Sequence, residues 1–295
     1  MGVLGATSFV GQAVLERLQE SGAADGDRPV APVWAFSRNC MPAVARRISA
    51  GTRWHQLPIA PGSWHASIPH WIAVCPLWAV SEHFPLLEAA EARRLVAISS
   101  TSRSTKRDSP AASERALAAR LAAAEERVLE WAAVRGIRAT ILRPTMIYDG
   151  IHDQNVARIA RFIHRFGFYP VAGAANGLRQ PVHRDDIAAA CHAALAQDRL
   201  LDSYDISGGE TLTYRDMVRR IFASLNRTPR LITVPMPLVK AAAALIGHVP
   251  PLESLPTMAI RMNEDLVFDH GAASRDFGFQ PRVFSLPSEP DSKHA

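Results

Sequence analysis

A glycine-containing segment near the start of the chain has the residue types of a phosphate-binding loop. Residues 5–11 read Gly-Ala-Thr-Ser-Phe-Val-Gly and directly follow the apolar pair Val3-Leu4. Apolar residues then recur at helical spacing, so the pattern predicts a strand, a tight turn and the N-terminus of a helix. Free backbone N–H groups and the positive end of the helix dipole can bind a phosphate there. An ordinary glycine turn is the alternative interpretation.

The spacing within this segment is close to that of a dinucleotide-binding loop. In such loops the first glycine allows the sharp turn, the second lets the backbone approach the pyrophosphate, and the third allows close packing of helix and strand. Here Gly5 and Gly11 take the first and third positions, and Ser8 takes the second. We therefore predict that the cofactor contacts this set of residues: Gly5, Thr7, Ser8, Phe9, Val10 and Gly11.

The end of the second predicted strand, residues 30–36, bears on the choice of cofactor. At this position an acidic residue binds the 2′-hydroxyl of the adenine ribose, whereas an arginine accommodates a 2′-phosphate. Ser37 and Arg38 follow the strand. Arg38 therefore favours NADP over NAD, and an exposed loop arginine is the alternative interpretation.

Strands and helices alternate through the first half of the chain. Strands are predicted at 71–74, 94–99 and 137–142, and helices at 81–92 and from Ser109-Pro110 to Arg135. This order is typical of a parallel sheet covered on both faces, whose ligands bind beyond the carboxyl ends of the strands. Besides the glycine turn and Arg38, one cleft should then contain further residues at those ends: Pro76, Ser99, Ser100, Thr101, Pro144 and Thr145.

The alternation loosens after Tyr148. Short strands are predicted at 169–171, 204–206, 231–234 and 266–269. Helices are predicted at 155–166, from after Asp186 to about Gln197, at 214–226 and at 238–246. The prediction is an α/β architecture with a Rossmann-type, doubly wound parallel sheet and a smaller C-terminal α+β substrate lobe. Residues 1–150 would form the dinucleotide-binding domain and residues 151–295 the lobe, intertwined as one compact unit.

The composition argues against several other classes of protein. The 295 residues carry a net charge of +5, with arginines spread along the chain and no basic block interleaved with aromatics. This distribution argues against nucleic-acid binding. Prolines and charged residues interrupt the apolar stretch 231–249, so we expect no membrane span. His65 and His70 lack companion ligands at metal-binding spacing, so we expect no metal site.

The cysteines indicate the compartment. Cys40, Cys75 and Cys191 are far apart and odd in number. This pattern argues against a disulfide framework and for a reducing environment. We therefore expect a cytoplasmic protein.

Five segments together resemble a known superfamily. They are GATSFVG at 5–11, AISSTS at 97–102, LRPTMIY at 142–148, RQPVHRDD at 179–186 and DLVFDHGAASRDFGFQPR at 265–282. In this order they resemble the extended or atypical short-chain dehydrogenase/reductases, in particular the NAD-dependent epimerase/dehydratase branch. The resemblance implies an NAD(P)-binding fold and hydride transfer on a nucleotide-sugar-like substrate.

In that family a tyrosine acts as acid and base, a lysine four residues later lowers its pKa, and a Ser/Thr hydroxyl holds the substrate oxygen. Matching on Thr101 fills the hydroxyl position, with Ser100 beside it. The Tyr-x-x-x-Lys pair is absent: when Glu125 is matched to the family's glutamate, Leu117 and Leu121 stand at the two positions.

The resemblance also assigns roles outside the pair. It gives Arg179 the substrate diphosphate, where the alternative is a loop arginine paired with an acid at 185–186. Lys106 could reach the nicotinamide ribose or a substrate phosphate, or be a solvated loop residue. Tyr148 is a candidate proton donor, although its family role is packing or a pocket wall. His183 is expected to cap the following helix rather than act as a base.

Two functions remain open. One is an NAD(P)-dependent epimerase, dehydratase or reductase, favoured by the hydroxyl cluster and Arg179. The other is a non-catalytic NADP(H)-binding scaffold, sensor or accessory protein, favoured by the missing pair. The family includes such a case, the NADPH-holding accessory subunit of respiratory complex I. By analogy with relatives, the helix with Leu117 and Leu121 could pair across a homodimer.

Overall fold

The computed structural model describes residues 1–24, 32–38, 51–60, 62–246 and 254–286. Its centre is a parallel sheet of seven strands, six of them in the first half of the chain. These six are β1 (Gly2–Leu4), β2 (Val33–Ser37), β3 (Thr52–Gln56), β4 (His70–Ala73), β5 (Arg94–Ile98) and β6 (Arg138–Pro144). The seventh, Ser203–Ile206, pairs in parallel with β6.

The order across the sheet places a topological switch point beside β1. From β1 the sheet continues through β2 and β3 on one side, and through β4, β5 and β6 on the other. Dinucleotides bind at such a switch point, beyond the carboxyl ends of the strands. The architecture confirms the predicted Rossmann-type α/β fold.

Among the described residues of the first half, six helical segments follow or connect the strands. They are α1 (Phe9–Ala24), α2 (Leu77–Val80), a 3₁₀ turn (Ser81–His83), α3 (Phe84–Ala89), α4 (Ser102–Thr105) and α5 (Ala112–Val134). The inner face of α5, with Ala124, Val128 and Ala132, packs on one side of the sheet together with α2 and α3.

The second half of the chain adds short paired strands and further helices. They are β7 (Ile147–Tyr148), α6 (Val156–Phe166), β8 (Tyr169–Ala172), β9 (Leu178–Arg179), β10 (Val182–His183), α7 (Arg184–Ala196), β11 (Ser203–Ile206), β12 (Leu212–Thr213), α8 (Tyr214–Ser224), β13 (Leu231–Val234), α9 (Met236–Ile246), α10 (Ser254–Arg261) and α11 (Gly271–Phe277). Among the described residues, no helix is both long and apolar enough to cross a bilayer.

Two of these later elements complete the central layer. Helix α7 packs beside α1 on the other face of the sheet, and Ile187, Cys191 and Leu195 join Val10 and Val14 in one core. Strand β11 extends the sheet beyond β6. A separate core lies among β8, α6 and α8, around Ile163 and Phe222.

Several element predictions differ from the structure. The predicted helix 81–92 is a 3₁₀ turn (Ser81–His83) followed by α3 (Phe84–Ala89), and residue 91 has a positive φ. The unpredicted α2 precedes both, beginning directly after Pro76. Strand β3 and helix α4 were not predicted, and residues 266–269 form no strand. Helix α5 begins at Ala112 rather than after Ser109, whose hydroxyl instead accepts from the Ala111 N–H and donates to a glutamate. Of the predicted strand 30–36, residues 30 and 31 lie outside the described residues.

Candidate functional site: the carboxyl edge of the sheet

The first glycine of the loop makes a turn that other residues would strain. Gly5 has φ +82°, and a Cβ added there would lie 2.6 Å from the backbone nitrogen of Cys75. The N–H groups of Gly5 and Ala6 both donate to the Phe36 carbonyl at the end of β2. The turn therefore needs glycine both for its left-handed backbone and for its close contact with the segment after β4.

The other end of the loop brings α1 close to this turn. A Cβ added to Gly11 would lie 2.4 Å from the Gly5 carbonyl oxygen, which is the close approach expected of the third glycine. Ser8 caps the helix, since its Oγ accepts from the Gly11 N–H at 3.0 Å. The N–H groups of Phe9 and Val10 donate no hydrogen bond to any group in the described part of the chain. These two donors leave an anion site at the start of α1.

The loop borders a cavity of about 180 Å³. Its walls come from the glycine turn, the end of β2, the segment after β4, and the helical turns that follow. The lining residues are Gly5, Thr7, Ser8, Ser37, Arg38, Leu57, Val74, Cys75, Pro76, Ala79, Glu82 and His83. The structure thus brings the predicted Arg38 and Pro76 together with the loop.

Two opposite charges face this cavity. Arg38 is exposed at the end of β2, and Glu82 is exposed in the 3₁₀ turn after α2. Within the described ranges neither has an ion-pair partner. Burial lowers the pKa of His83 and raises that of Cys75 to about 11, so both are uncharged at neutral pH. Arg38 and Glu82 therefore set the charge of the cavity.

Sequence reasoning missed Glu82 and His83. Both follow a strand-end proline in a segment predicted as one helix from residue 81, so neither was placed at the edge of the sheet. The available signal was the spacing: Pro76, Ala79, Glu82 and His83 recur at three- and four-residue intervals, so they share one helical face.

The hydroxyl cluster after β5 is engaged in internal hydrogen bonds. Ser99 Oγ donates to Glu125 Oε1 at 2.6 Å, and Thr101 Oγ1 donates to the Pro144 carbonyl at 3.2 Å. Ser100 Oγ accepts from the Ser102 N–H at 3.1 Å. Thr101 is buried, so the predicted catalytic hydroxyl tethers the ends of β5 and β6 in this conformation.

Glu125 lies at the centre of a buried ion cluster. The Oε2 atom of Glu125 is 2.5 Å from Arg143 Nη2 and 3.2 Å from Arg103 Nε. Glu125 is only 2% exposed. On the same helix Leu121 is buried and Leu117 is half-buried. The positions that the resemblance gives to lysine and tyrosine therefore carry apolar side chains that cannot exchange a proton.

Lys106 is held by a second buried carboxylate. Its Nζ lies 3.1 Å from Glu114 Oε1, and Arg261 from α10 lies 2.8 Å from Glu114 Oε2. The Lys106 side chain is 23% exposed. This placement corrects the interpretation of Lys106 as a solvated loop residue, since its ammonium is half-buried and paired with a carboxylate.

Arg179 is also placed differently from the prediction. Its guanidinium donates to the backbone carbonyls of Leu178, Glu264 and Arg261, and it lies over the ring of Tyr214. The residue is 4% exposed, and burial lowers its pKa. We therefore correct the assignment of Arg179 to a diphosphate: it joins β9 to the segment after α10. The alternative ion pair with residues 185–186 is also absent among its contacts.

Tyr148 is a core residue. It is fully buried, and its ring packs edge-on against His183 and Phe284. Its hydroxyl accepts from the Ser285 N–H at 3.3 Å, and burial raises its pKa. This placement corrects the candidate acid/base role and agrees with packing. His183 caps α7 as predicted, since its Nδ1 accepts from the Asp185 N–H.

The remaining strand-end residues lie where β6 meets β11. The Thr145 N–H donates to the Ile206 carbonyl, and Thr145 Oγ1 donates to the Gln180 carbonyl at 2.5 Å. Pro144 is the last residue of β6.

In the described ranges no three His, Cys, Asp or Glu side chains gather as a metal-binding group. Cys40 lies outside those ranges.

No protein-family profile matches the sequence. Over 173 residues the chain is 32% identical to the Arabidopsis thaliana protein NADH dehydrogenase (ubiquinone) 1 alpha subcomplex subunit 9, mitochondrial. The match covers 54% of this chain and 42% of that protein. The chain spans less than half the length of the curated relatives it matches.

Solved structures match along almost the whole chain. UDP-glucuronic acid 4-epimerase from Bacillus cereus, in complex with NAD, has a TM-score of 0.69 at 14% identity, covering 96% of this chain and 93% of the other. dTDP-glucose 4,6-dehydratase from Streptomyces venezuelae, a double mutant with NAD bound, has 0.65 at 18% identity, covering 96% and 92%. The chain therefore shares the fold of these two enzymes, and the fold that the resemblance implied is confirmed.

Proposed function

We propose that this chain binds NAD or NADP at the carboxyl edge of its sheet. The observation that carries the proposal is the strand–turn–helix of residues 2–24. In it Gly5 and Gly11 have no room for a side chain, and the first N–H groups of α1 have no acceptor among the residues that the structure describes. The pyrophosphate would accept hydrogen bonds from these groups, with the helix dipole favouring its negative charge.

The rest of the cofactor would follow the edge of the sheet on both sides of the loop. The adenosine would enter the cavity with Arg38 and Pro76. The nicotinamide would lie beyond β5 and β6, near Ser99 and Thr145. When bound, the cofactor would supply a hydride acceptor or donor. The chain's own residues would position it and exclude water.

We further propose an epimerase/dehydratase-like function with a nucleotide sugar as the second ligand. The structural neighbours support this class, since solved examples hold NAD with UDP-glucose or UDP-glucuronic acid. Residues 1–150 would bind the dinucleotide and residues 151–295 would form most of the substrate lobe. Hydride transfer would then require an acid/base group other than a tyrosine–lysine pair.

A non-catalytic NADP(H)-binding protein is the second candidate, with a role as scaffold, sensor or accessory protein. The apolar side chains of Leu117 and Leu121 favour it, because nothing at these positions can move a proton. The internal hydrogen bonds of Ser99 and Thr101 favour it as well. The partial match to a NADH dehydrogenase subunit is in keeping with this candidate.

Replacement of Ser8 tests the binding proposal without removing the helix cap. Asp and Asn both cap helices about as well as Ser, but only Asp places a negative charge against the pyrophosphate. We expect Ser8→Asp to weaken NADH and NADPH binding by at least about tenfold, and Ser8→Asn by less than about threefold. Titration followed by nicotinamide fluorescence measures both. Equal affinities for the two variants would refute the pyrophosphate site.

A panel of nucleotide sugars separates the two candidate functions. The protein with bound NAD or NADP is incubated with UDP-glucose, UDP-glucuronic acid and dTDP-glucose. Cofactor absorbance is followed and the sugar products are separated by chromatography. A new sugar or a change in cofactor redox state supports the enzyme. Tight cofactor binding without turnover supports the non-catalytic protein.

We also propose a homodimer formed through α5. The support is that Leu117 on this helix is only half-buried within the chain. Light scattering after size-exclusion chromatography measures the mass directly, and a monomer at micromolar concentration would rule this interface out.

For the location we propose the cytoplasm. The support is the dispersed cysteines, of which Cys75 and Cys191 are free thiols in the structure. Thiols of this kind persist in a reducing compartment. Fractionation of cells that express the chain would test the location.

A further inference from the structure

Arg38 and Glu82 approach the cavity from different elements. Arg38 follows β2, and Glu82 lies in the 3₁₀ turn that α2 leads into, after the end of β4. Both line the same cavity as Thr7 and Ser8 of the phosphate loop. Neither side chain is neutralised by an ion pair with another residue in the described part of the chain. A carboxylate in this position is unusual for a site that would hold a phosphate.

We propose that Glu82 is a specificity-determining residue that opposes the 2′-phosphate of NADP and makes the cavity accept NAD. This inference rests on the proposed function and deepens it by naming the cofactor. Arg38 alone would attract a 2′-phosphate. Glu82 places an opposite charge in the same cavity, so the two charges together leave no net attraction for a dianion.

The other groups of the cavity do not restore a positive charge. His83 is next to Glu82 and half-buried, and burial lowers its pKa, so its ring is neutral at pH 7. The Cys75 thiol stays protonated. Ser37 Oγ is 2.7 Å from Thr7 Oγ1, so these hydroxyls bond each other. Glu82 is therefore the carboxylate of the cavity that can accept hydrogen bonds from the two ribose hydroxyls of NAD.

The test compares Glu82→Gln with a matched control. Glu126→Gln removes the same charge from an exposed position on α5 that does not line the cavity. Each protein is titrated with NADH and with NADPH, and nicotinamide fluorescence gives the dissociation constants. The titrations are made at low ionic strength and repeated at about 0.5 M NaCl, where exposed charges are screened.

For Glu82→Gln we expect NADPH affinity to rise about five- to tenfold, with NADH affinity changed less than about threefold. The rise should shrink at high salt, and Glu126→Gln should match the wild type. Cofactor binding with an unchanged NADPH-to-NADH ratio in Glu82→Gln would overturn this inference and leave the proposed function standing. Absence of binding by either cofactor to any of the proteins would overturn both.

Discussion

Two regions of the molecule differ in what their polar groups contact. In the glycine loop with Arg38 and Glu82, which we call the cofactor end, charges and N–H groups have no partner among the described residues. In residues 99–101, Lys106 and Arg179, which we call the catalytic end, the corresponding groups bond other parts of the chain.

This difference separates residues that resemble a family motif from residues that can still do its chemistry. Thr101 and Arg179 match the motifs, yet both donate hydrogen bonds within the chain. Thr101 donates to the Pro144 carbonyl, and Arg179 donates to three other backbone carbonyls. Gly5 and Gly11 match a motif and also keep the space that the ligand needs. The comparison therefore supports cofactor binding more strongly than turnover.

The largest effect should come from the buried carboxylate at the catalytic end. Glu125→Ala would leave Arg143 buried without its partner, so we expect the free energy of unfolding to fall by about 3–5 kcal/mol. Glu126→Ala, its exposed neighbour on α5, should change it by less than about 0.5 kcal/mol. Urea denaturation measures both. Similar losses for the two variants would show that the ion cluster is not a structural element.

A smaller loss of stability is expected for Arg179. In Arg179→Met three backbone carbonyls lose the charged donor of a buried side chain, so the unfolding free energy should fall by about 2–3 kcal/mol while NADH affinity is kept. Arg158→Met, at an exposed position on α6, is the control. If Arg179→Met instead keeps its stability and loses affinity for a nucleotide sugar, Arg179 belongs to a substrate site and the two ends are alike.

The smallest effect concerns Arg38 at the cofactor end. Arg38→Ala should weaken NADPH binding by about tenfold, because the guanidinium would contact the 2′-phosphate, and NADH binding much less. Arg93→Ala, exposed on the loop before β5, controls for the loss of charge. Fluorescence titration gives both constants. An equal loss for NADH and NADPH would remove Arg38 from the recognition of the 2′-position.

Periodicity made much of the fold predictable. Buried parallel strands such as β4 and β5 are short apolar runs, so the sequence pattern predicts them. The spacing of Gly5 and Gly11 predicts the tight turn between β1 and α1. Strand β3 was not predicted because it is an edge strand: its residues are mostly charged or polar and only half-buried or exposed, so they form no apolar run. Helix α4 is a single turn, too short to show a period.

The contacts of the catalytic end could not be predicted from the sequence. Arg179 donates to carbonyls 82 and 85 residues later, and Lys106 shares Glu114 with Arg261. Backbone carbonyls carry no residue-type signal, so no motif marks them as acceptors. Glu82 was missed for a different reason: the helix was predicted to start at residue 81, whereas α2 and the 3₁₀ turn run without a gap from Leu77 to His83.

The place of β11 in the sheet sets an order of assembly. Its residue Ser203 pairs with Ile141, and α7, which precedes it, covers α1. During synthesis β6 can pair with β11 only after more than sixty further residues have left the ribosome. Until then β6 offers an unpaired edge and α1 an uncovered apolar side, both prone to association with other chains. A chaperone that protects the nascent chain would have the most to protect in this interval.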